Sequence, residues 1–242
     1  MGPKTLSIGG VSLGKVPRVV VPLFDDDPRA DVSAVQDLCD FVELRIDGFS
    51  ELAISHVSET AKRYRKLAGA RLPLIATVRA QSEGGKAPLD EETRATLYEC
   101  VLGSVDAVDV ELRAPIRDRV LELARKTGRT TIVSFHDFAS TPSLETLERL
   151  WEEGRACRAD LLKVATMAHD LEDVARLLEF TLRHRQEGIV TVAMGAVGGI
   201  SRVFFPAAGS RLTYAHHRAP TAPGQLSLLE LRELLRRFYP GS

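Results

Sequence analysis

The chain has 242 residues, of which 44% are hydrophobic and 27% charged, and its formal net charge is −1. This is the composition of a soluble globular chain, close to the size of one α/β barrel, with no basic stripe to offer nucleic acid. Its three cysteines, Cys39, Cys100 and Cys157, are far apart and odd in number, which indicates neither a disulfide framework nor a CxxC metal site. They read as buried thiols in a reducing compartment. The opening MGPKTLSIGG lacks the apolar core of a signal peptide, and no stretch approaches the roughly 20 apolar residues of a membrane span. A cytoplasmic protein is expected.

Short apolar runs alternate with longer amphipathic ones. Residues 18–23 read as the first strand and 32–39 as a helix. A strand over 41–46 and a helix over 53–68 follow, then a strand over 73–79 and a helix over 91–103. The next pairs are 105–112 with 116–127, 130–136 with 144–155, and 160–166 with 171–185. A seventh strand over 189–194 leads into an irregular stretch, 195–208, with a short helix around Ser201. A strand over 211–214 and a helix over 226–238 end the series. Eight β/α units of about 30 residues each predict a closed (β/α)8 barrel, one domain over residues 1–242, with a doubly wound open sheet as the alternative. The glycine-rich GAVGG at 195–199 is not a GxGxxG fingerprint and follows the seventh strand, so a dinucleotide fold gains little support.

Side chains alternate faces along a strand, and in a barrel one parity points into the lumen. Val42, Leu44 and Ile46 share one face; Phe41, Glu43 and Arg45 share the other. Leu74, Ala76 and Val78 oppose Ile75, Thr77 and Arg79. Val108, Val110 and Leu112 oppose Asp109 and Glu111, while Ile132, Ser134 and His136 lie together. Leu162 and Val164 oppose Leu161, Lys163 and Ala165. The lumenal face is apolar at the start of each middle strand and polar toward its C-terminal end. Buried charge is costly unless paired, so such a cluster reads as functional, at the mouth where barrel enzymes keep their sites.

There are seven lysines against 25 arginines, and Lys163 alone sits in an apolar strand, LLKVA. A strand-end lysine can simply snorkel to water. On a lumenal face, desolvation disfavours its ammonium form, as would Arg79 and Arg202 if near, and an amine nucleophile results. His136, in SFHDF at the end of the preceding strand, is either a hydrogen-bonded core histidine or a general acid–base group beside that lysine. His56, His169, His184, His216 and His217 lack such a context and read mostly as surface residues. The pair His216–His217 has no evident third metal ligand.

Taken in order, ELRID at 43–47, ATVRAQSEGG at 76–85, SFHDF at 134–138, ADLLKVATM at 159–167, AMGAVGGISR at 193–202 and APTAPGQLS at 219–227 resemble the type I 3-dehydroquinate dehydratases over essentially the whole chain. The resemblance implies syn elimination of water from 3-dehydroquinate, in the shikimate pathway of aromatic amino acid biosynthesis. It implies that Lys163 forms a Schiff base with the substrate ketone, that His136 moves the protons and that Glu83 orients His136. Arg202 resembles the arginine that grips the substrate carboxylate. Glu43, Arg45 and Arg79 match residues that bind ring hydroxyls, Met194 an apolar wall, and Thr221 and Gln225 a closing loop. Tyr214 stands where phenylalanine is common, Thr221 where serine is, and Val192 where some members have methionine. No metal and no organic cofactor is expected; a homodimer is.

Two other readings use the same residues. A class I aldolase-like barrel would employ the lysine to break a carbon–carbon bond, with a phosphate site at Gly195, Gly198 and Gly199. A barrel kept as a ligand sensor would have no reason to hold lysine, histidine and carboxylate together.

Overall fold

The structure, a computed structural model, describes residues 6–240. Residues 1–5 and 241–242, which the single-domain reading included, lie outside the described residues. A hairpin of β1 (Ser7–Ile8) and β2 (Val11–Ser12) comes first and was not predicted. Its two-residue turn is Gly9–Gly10, both at positive φ (54° and 83°), the conformation that matches strand twist in so tight a turn.

The barrel strands are β3 (Val19–Leu23), β4 (Phe41–Arg45), β5 (Leu74–Thr77), β6 (Ala107–Glu111), β7 (Thr130–Asp137), β8 (Leu161–Met167), β9 (Ile189–Met194) and β10 (Thr213–Tyr214). They form one parallel sheet in the order β10-β3-β4-β5-β6-β7-β8-β9. Together they make a nearly closed (β/α)8 barrel. The seam between β9 and β10 is stitched by Arg211 N–H donating to Ile189 O at 2.8 Å and Thr191 N–H donating to Ser210 Oγ at 3.0 Å.

The helices are α1 (Pro28–Val35), α2 (Ile54–Ala68), α3 (Glu91–Val101), α4 (Arg117–Lys126), α5 (Leu144–Ala156), α6 (Leu171–Arg183), α7 (Ser201–Ala208) and α8 (Leu228–Phe238). The first begins four residues before the predicted start. Asp27 caps it by accepting from Ala30 N–H at 3.1 Å, and Pro28 takes the first turn, where its missing N–H costs nothing. The expected short helix around Ser201 is α7, entered through a 3-10 turn at Val197–Ile200.

Strand parity divides the core in two. Val42, Leu44, Leu74, Ala76, Val108, Val110, Leu162 and Val164 pack outward with the helices. Phe41, Ile75, Ala107, Ile132, Leu161 and Val190 fill the lumen, joined from the hairpin by Ile8 and Leu13. Of the histidines expected at the surface, His184 is instead wedged into packing. Its ring stacks on Trp151 at 4.1 Å, and Nε2 meets Glu148 at 2.8 Å. Cys39 is buried, Cys100 and Cys157 are half-buried, and all three are free.

Candidate active site

All eleven predicted site residues line one cavity of about 540 Å³: Glu43, Arg45, Arg79, Glu83, His136, Lys163, Met194, Arg202, Tyr214, Thr221 and Gln225. Pro22, Ala165 and Val192 share its wall. The cavity opens where β4 to β9 end, and the lumenal parity of β4 to β7 switches from apolar to polar there, while β9 stays apolar through Val192 and Met194.

Lys163 is 6% exposed. Its Nζ donates to Asp109 Oδ2 at 3.1 Å, lies 3.9 Å from Glu43 Oε1 and sits 4.2 Å from the centre of the Tyr214 ring. Two carboxylates and an aromatic face thus surround this amine, whereas the sequence pointed only to burial and nearby arginines. Asp109 was legible as a lumenal carboxylate but not as the lysine's partner. Its other oxygen accepts from Arg79 Nη2 at 2.9 Å and Ser134 Oγ at 2.6 Å. Burial would raise this carboxyl, but Arg79 and Lys163 outweigh it and hold Asp109 far below the usual carboxylate range.

Arg79 lies just past the end of β5, on the lumenal side. It also donates to Ser134 Oγ at 2.6 Å and Glu111 Oε1 at 3.3 Å. Glu111 in turn accepts from Arg94 Nη2 and, at 2.7 Å, from Ala80 N–H. Asp47 plays the same part for Arg45, accepting from Nε at 3.0 Å and Nη2 at 2.9 Å. These supporting residues were missed or left unassigned, because which charges meet depends on inter-strand register and loop reach. Glu43 is fixed by Thr77 Oγ1, which donates to Oε1 at 2.7 Å.

Glu83 ends a 3-10 turn, Gln81–Glu83, that brings it over the barrel mouth. Its Oε2 accepts the backbone N–H of His136 at 2.9 Å and lies 3.0 Å from Nδ1. An ionised Glu83 accepts a hydrogen bond from Nδ1–H, which leaves Nε2 as the basic nitrogen, the tautomer that this network selects. Burial raises the Glu83 carboxyl to about 7, with Glu111 adding to the shift and Arg79 opposing it. Burial, Arg79 and Lys163 all hold His136 well below its ordinary value. A neutral imidazole whose hydrogen-bond partner titrates near neutrality is suited to taking and returning a proton.

Arg202, 2% exposed on α7, has no carboxylate partner among the described residues. It donates to the carbonyls of Gly224 at 3.0 Å, Tyr214 at 3.1 Å and Pro223 at 3.4 Å. Desolvation lowers it to about 10. Three of its five N–H groups are thus used, and a buried cation without an anion is poised to bind one. The Gly224 and Pro223 carbonyls belong to the loop carrying Thr221 and Gln225, in which Thr221 N–H and Oγ1 donate to Gln225 Oε1 at 2.7 and 3.0 Å. Pro223 O also accepts from Gly195 N–H at 3.1 Å, so the loop lies across the mouth. Among the described residues no group of three or more His, Cys, Asp or Glu is arranged to hold a metal ion.

The family described as type I 3-dehydroquinase matches residues 19–241. The 3-dehydroquinate dehydratase of Methanococcoides burtonii is 36% identical over 233 residues, covering 95% of this chain and 98% of that protein. The crystal structure of 3-dehydroquinate dehydratase from Geobacillus kaustophilus superposes with a TM-score of 0.89 at 30% identity, covering 98% of both chains. That of the type I enzyme from Clostridium difficile with covalently modified comenic acid gives 0.90 at 30% identity, over 96% and 97% of the two chains. A 3-hexulose-6-phosphate synthase shares the fold at only 15% identity, with a TM-score of 0.54. The chain belongs to the type I 3-dehydroquinase family.

Proposed function

We propose that the protein is a 3-dehydroquinate dehydratase, a hydro-lyase that eliminates water from 3-dehydroquinate to give 3-dehydroshikimate through a Schiff base on Lys163. The observation that carries this reading is a buried lysine on the lumenal face of β8, with His136 at the end of the neighbouring β7. Elimination of a hydroxyl β to a ketone requires negative charge on the carbon between them. An iminium accepts that charge as an enamine far better than a ketone does.

The Lys163 amine adds to the substrate ketone, and loss of water leaves the iminium. His136 Nε2 takes a proton from C2, and the C–H electrons move onto the lysine nitrogen. They return as the C1 hydroxyl leaves, with His136 delivering the proton that makes it water. One base serving both positions favours syn elimination. Hydrolysis of the product iminium frees the lysine. The iminium is the electron sink, so this chemistry calls for no metal or organic cofactor.

Arg202 takes the substrate carboxylate with its remaining donors. Glu43, Arg45 and Arg79 face the ring hydroxyls, Met194 and the Tyr214 ring form apolar walls, and Glu83 holds His136 in its productive tautomer. The loop over residues 215–224 closes over the ligand, with Thr221 and Gln225 contacting it, and excludes water from the imine. In this reading the enzyme serves the shikimate pathway in the cytoplasm and works as a homodimer, which sedimentation would test. The chemistry is tested by borohydride reduction in the presence of 3-dehydroquinate, which should fix ligand mass to Lys163. An adduct on Lys86 or Lys126, or none in an active enzyme, would overturn the assignment.

A further inference from the structure

We propose that Asp109 is the counterion of the protonated imine, holding the proton on the lysine nitrogen through the catalytic cycle; this rests on the Schiff-base reading. Several groups face Lys163 Nζ or share its cavity. Asp109 comes from β6, Glu43 from β4, His136 from β7 and Tyr214 from β10. Arg79 acts through Asp109, and Arg45, Glu83 and Arg202 line the cavity beyond. Among the described residues only Asp109 is within hydrogen-bond distance of Nζ, at 3.1 Å. Glu43 Oε1, at 3.9 Å, is already taken by Thr77.

The Asp109 carboxylate is fully buried and anchored through its other oxygen by Arg79 and Ser134. It is therefore held in place independently of what the lysine becomes. When the amine condenses with a ketone and water leaves, Nζ keeps a positive charge and a single N–H. That N–H needs an acceptor in a dry site, and Oδ2 stands where the ammonium already donated. The cation lost when C2–H electrons flow to nitrogen is regenerated as hydroxide leaves with the proton from His136. A fixed anion favours that regeneration and keeps the nitrogen protonated at alkaline pH.

The test is the Asp109→Asn variant, which keeps an acceptor for Arg79 and Ser134 but removes the charge. The alkaline limb of the kcat–pH profile should move down by about one unit or more, which is a tenfold loss at a given pH on that limb. Ser134→Ala, which removes a donor and leaves the charge, should not move it. Loss of the charge also lowers His136, so the acid limb moves the same way and does not discriminate. An unshifted alkaline limb in a folded Asp109→Asn enzyme overturns the proposal. If that variant does not fold, Raman spectra of the wild-type imine decide. A nearby opposite charge favours the protonated form, so the C=N band should keep its deuterium shift to about pH 9. A band that loses this shift near neutrality overturns the proposal. Wild-type borohydride trapping separates the two readings: with no adduct on Lys163 both fall, whereas an adduct with an unshifted limb removes the counterion alone.

Discussion

His136 has one ring nitrogen committed to Glu83 and the other turned to the cavity, so its removal should separate binding from proton transfer. His136→Ala should lower kcat by about 10²–10⁴-fold, the usual worth of a general acid–base group, while borohydride still labels Lys163. Activity within about threefold of wild type would take His136 out of the mechanism. Both Lys163 and His136 were legible because strand parity alone says which side chains enter a lumen. The partners of those side chains were not. Asp109 reaches Lys163 across two strand pairings, since Ile132 stands opposite Asp109 and Ser134 opposite Lys163. Nothing in a single chain's spacing fixes those registers. The anchoring of Arg202 by three backbone carbonyls, two from the loop and one from β10, was hidden for a related reason, because backbone acceptors carry no sequence signature.

Among the elements, the unpredicted hairpin matters most for stability. SIGGVS is too short and too polar to announce strands, yet its Ile8 is fully buried in the lumen cluster, with Phe41 and Ile132. Ile8→Ala should cost about 2–5 kcal/mol, as large-to-small core changes do. A urea midpoint unchanged from wild type would show that the hairpin does not plug the barrel. At the other end, the loop over residues 215–224 passes Gly195 at Gly224, which has φ 70°. A Cβ there would stand 2.0 Å from Gly195 O. Gly224→Ala should strain the closed loop by about 1–3 kcal/mol and raise KM on the order of tenfold, while leaving Lys163 able to form its imine. An unaltered KM would mean that closure does not contribute to binding.

At the scale of the whole molecule the barrel and its closure were legible from eight repeats of one pattern, although the contacts that close the seam were not. The last strand has only two residues, and the seam depends on the backbone N–H of Arg211 and on Ser210, whose hydroxyl no periodicity marks. The charged lumen also ties global stability to pH. The folded state raises Glu83 from its ordinary 4.5 to about 7, so it binds that proton more tightly than the unfolded chain. The resulting stabilisation is complete below about 4.5 and is lost as pH rises through 7. His136 runs the other way. Its depressed folded value gives stability that is present above 6.5 and lost as pH falls. The two slopes oppose each other below 6.5 and above 4.5, which flattens the wild-type profile there. Glu83→Gln removes one of them. Relative to wild type, the variant should gain about 1–3 kcal/mol between pH 5 and pH 8, from roughly two units of released shift at 1.36 kcal/mol each. Urea unfolding of both proteins at the two pH values measures this directly. A stability difference that stays constant between them would mean that Glu83 does not carry a proton near neutrality, and that its tie to His136 is one of geometry alone.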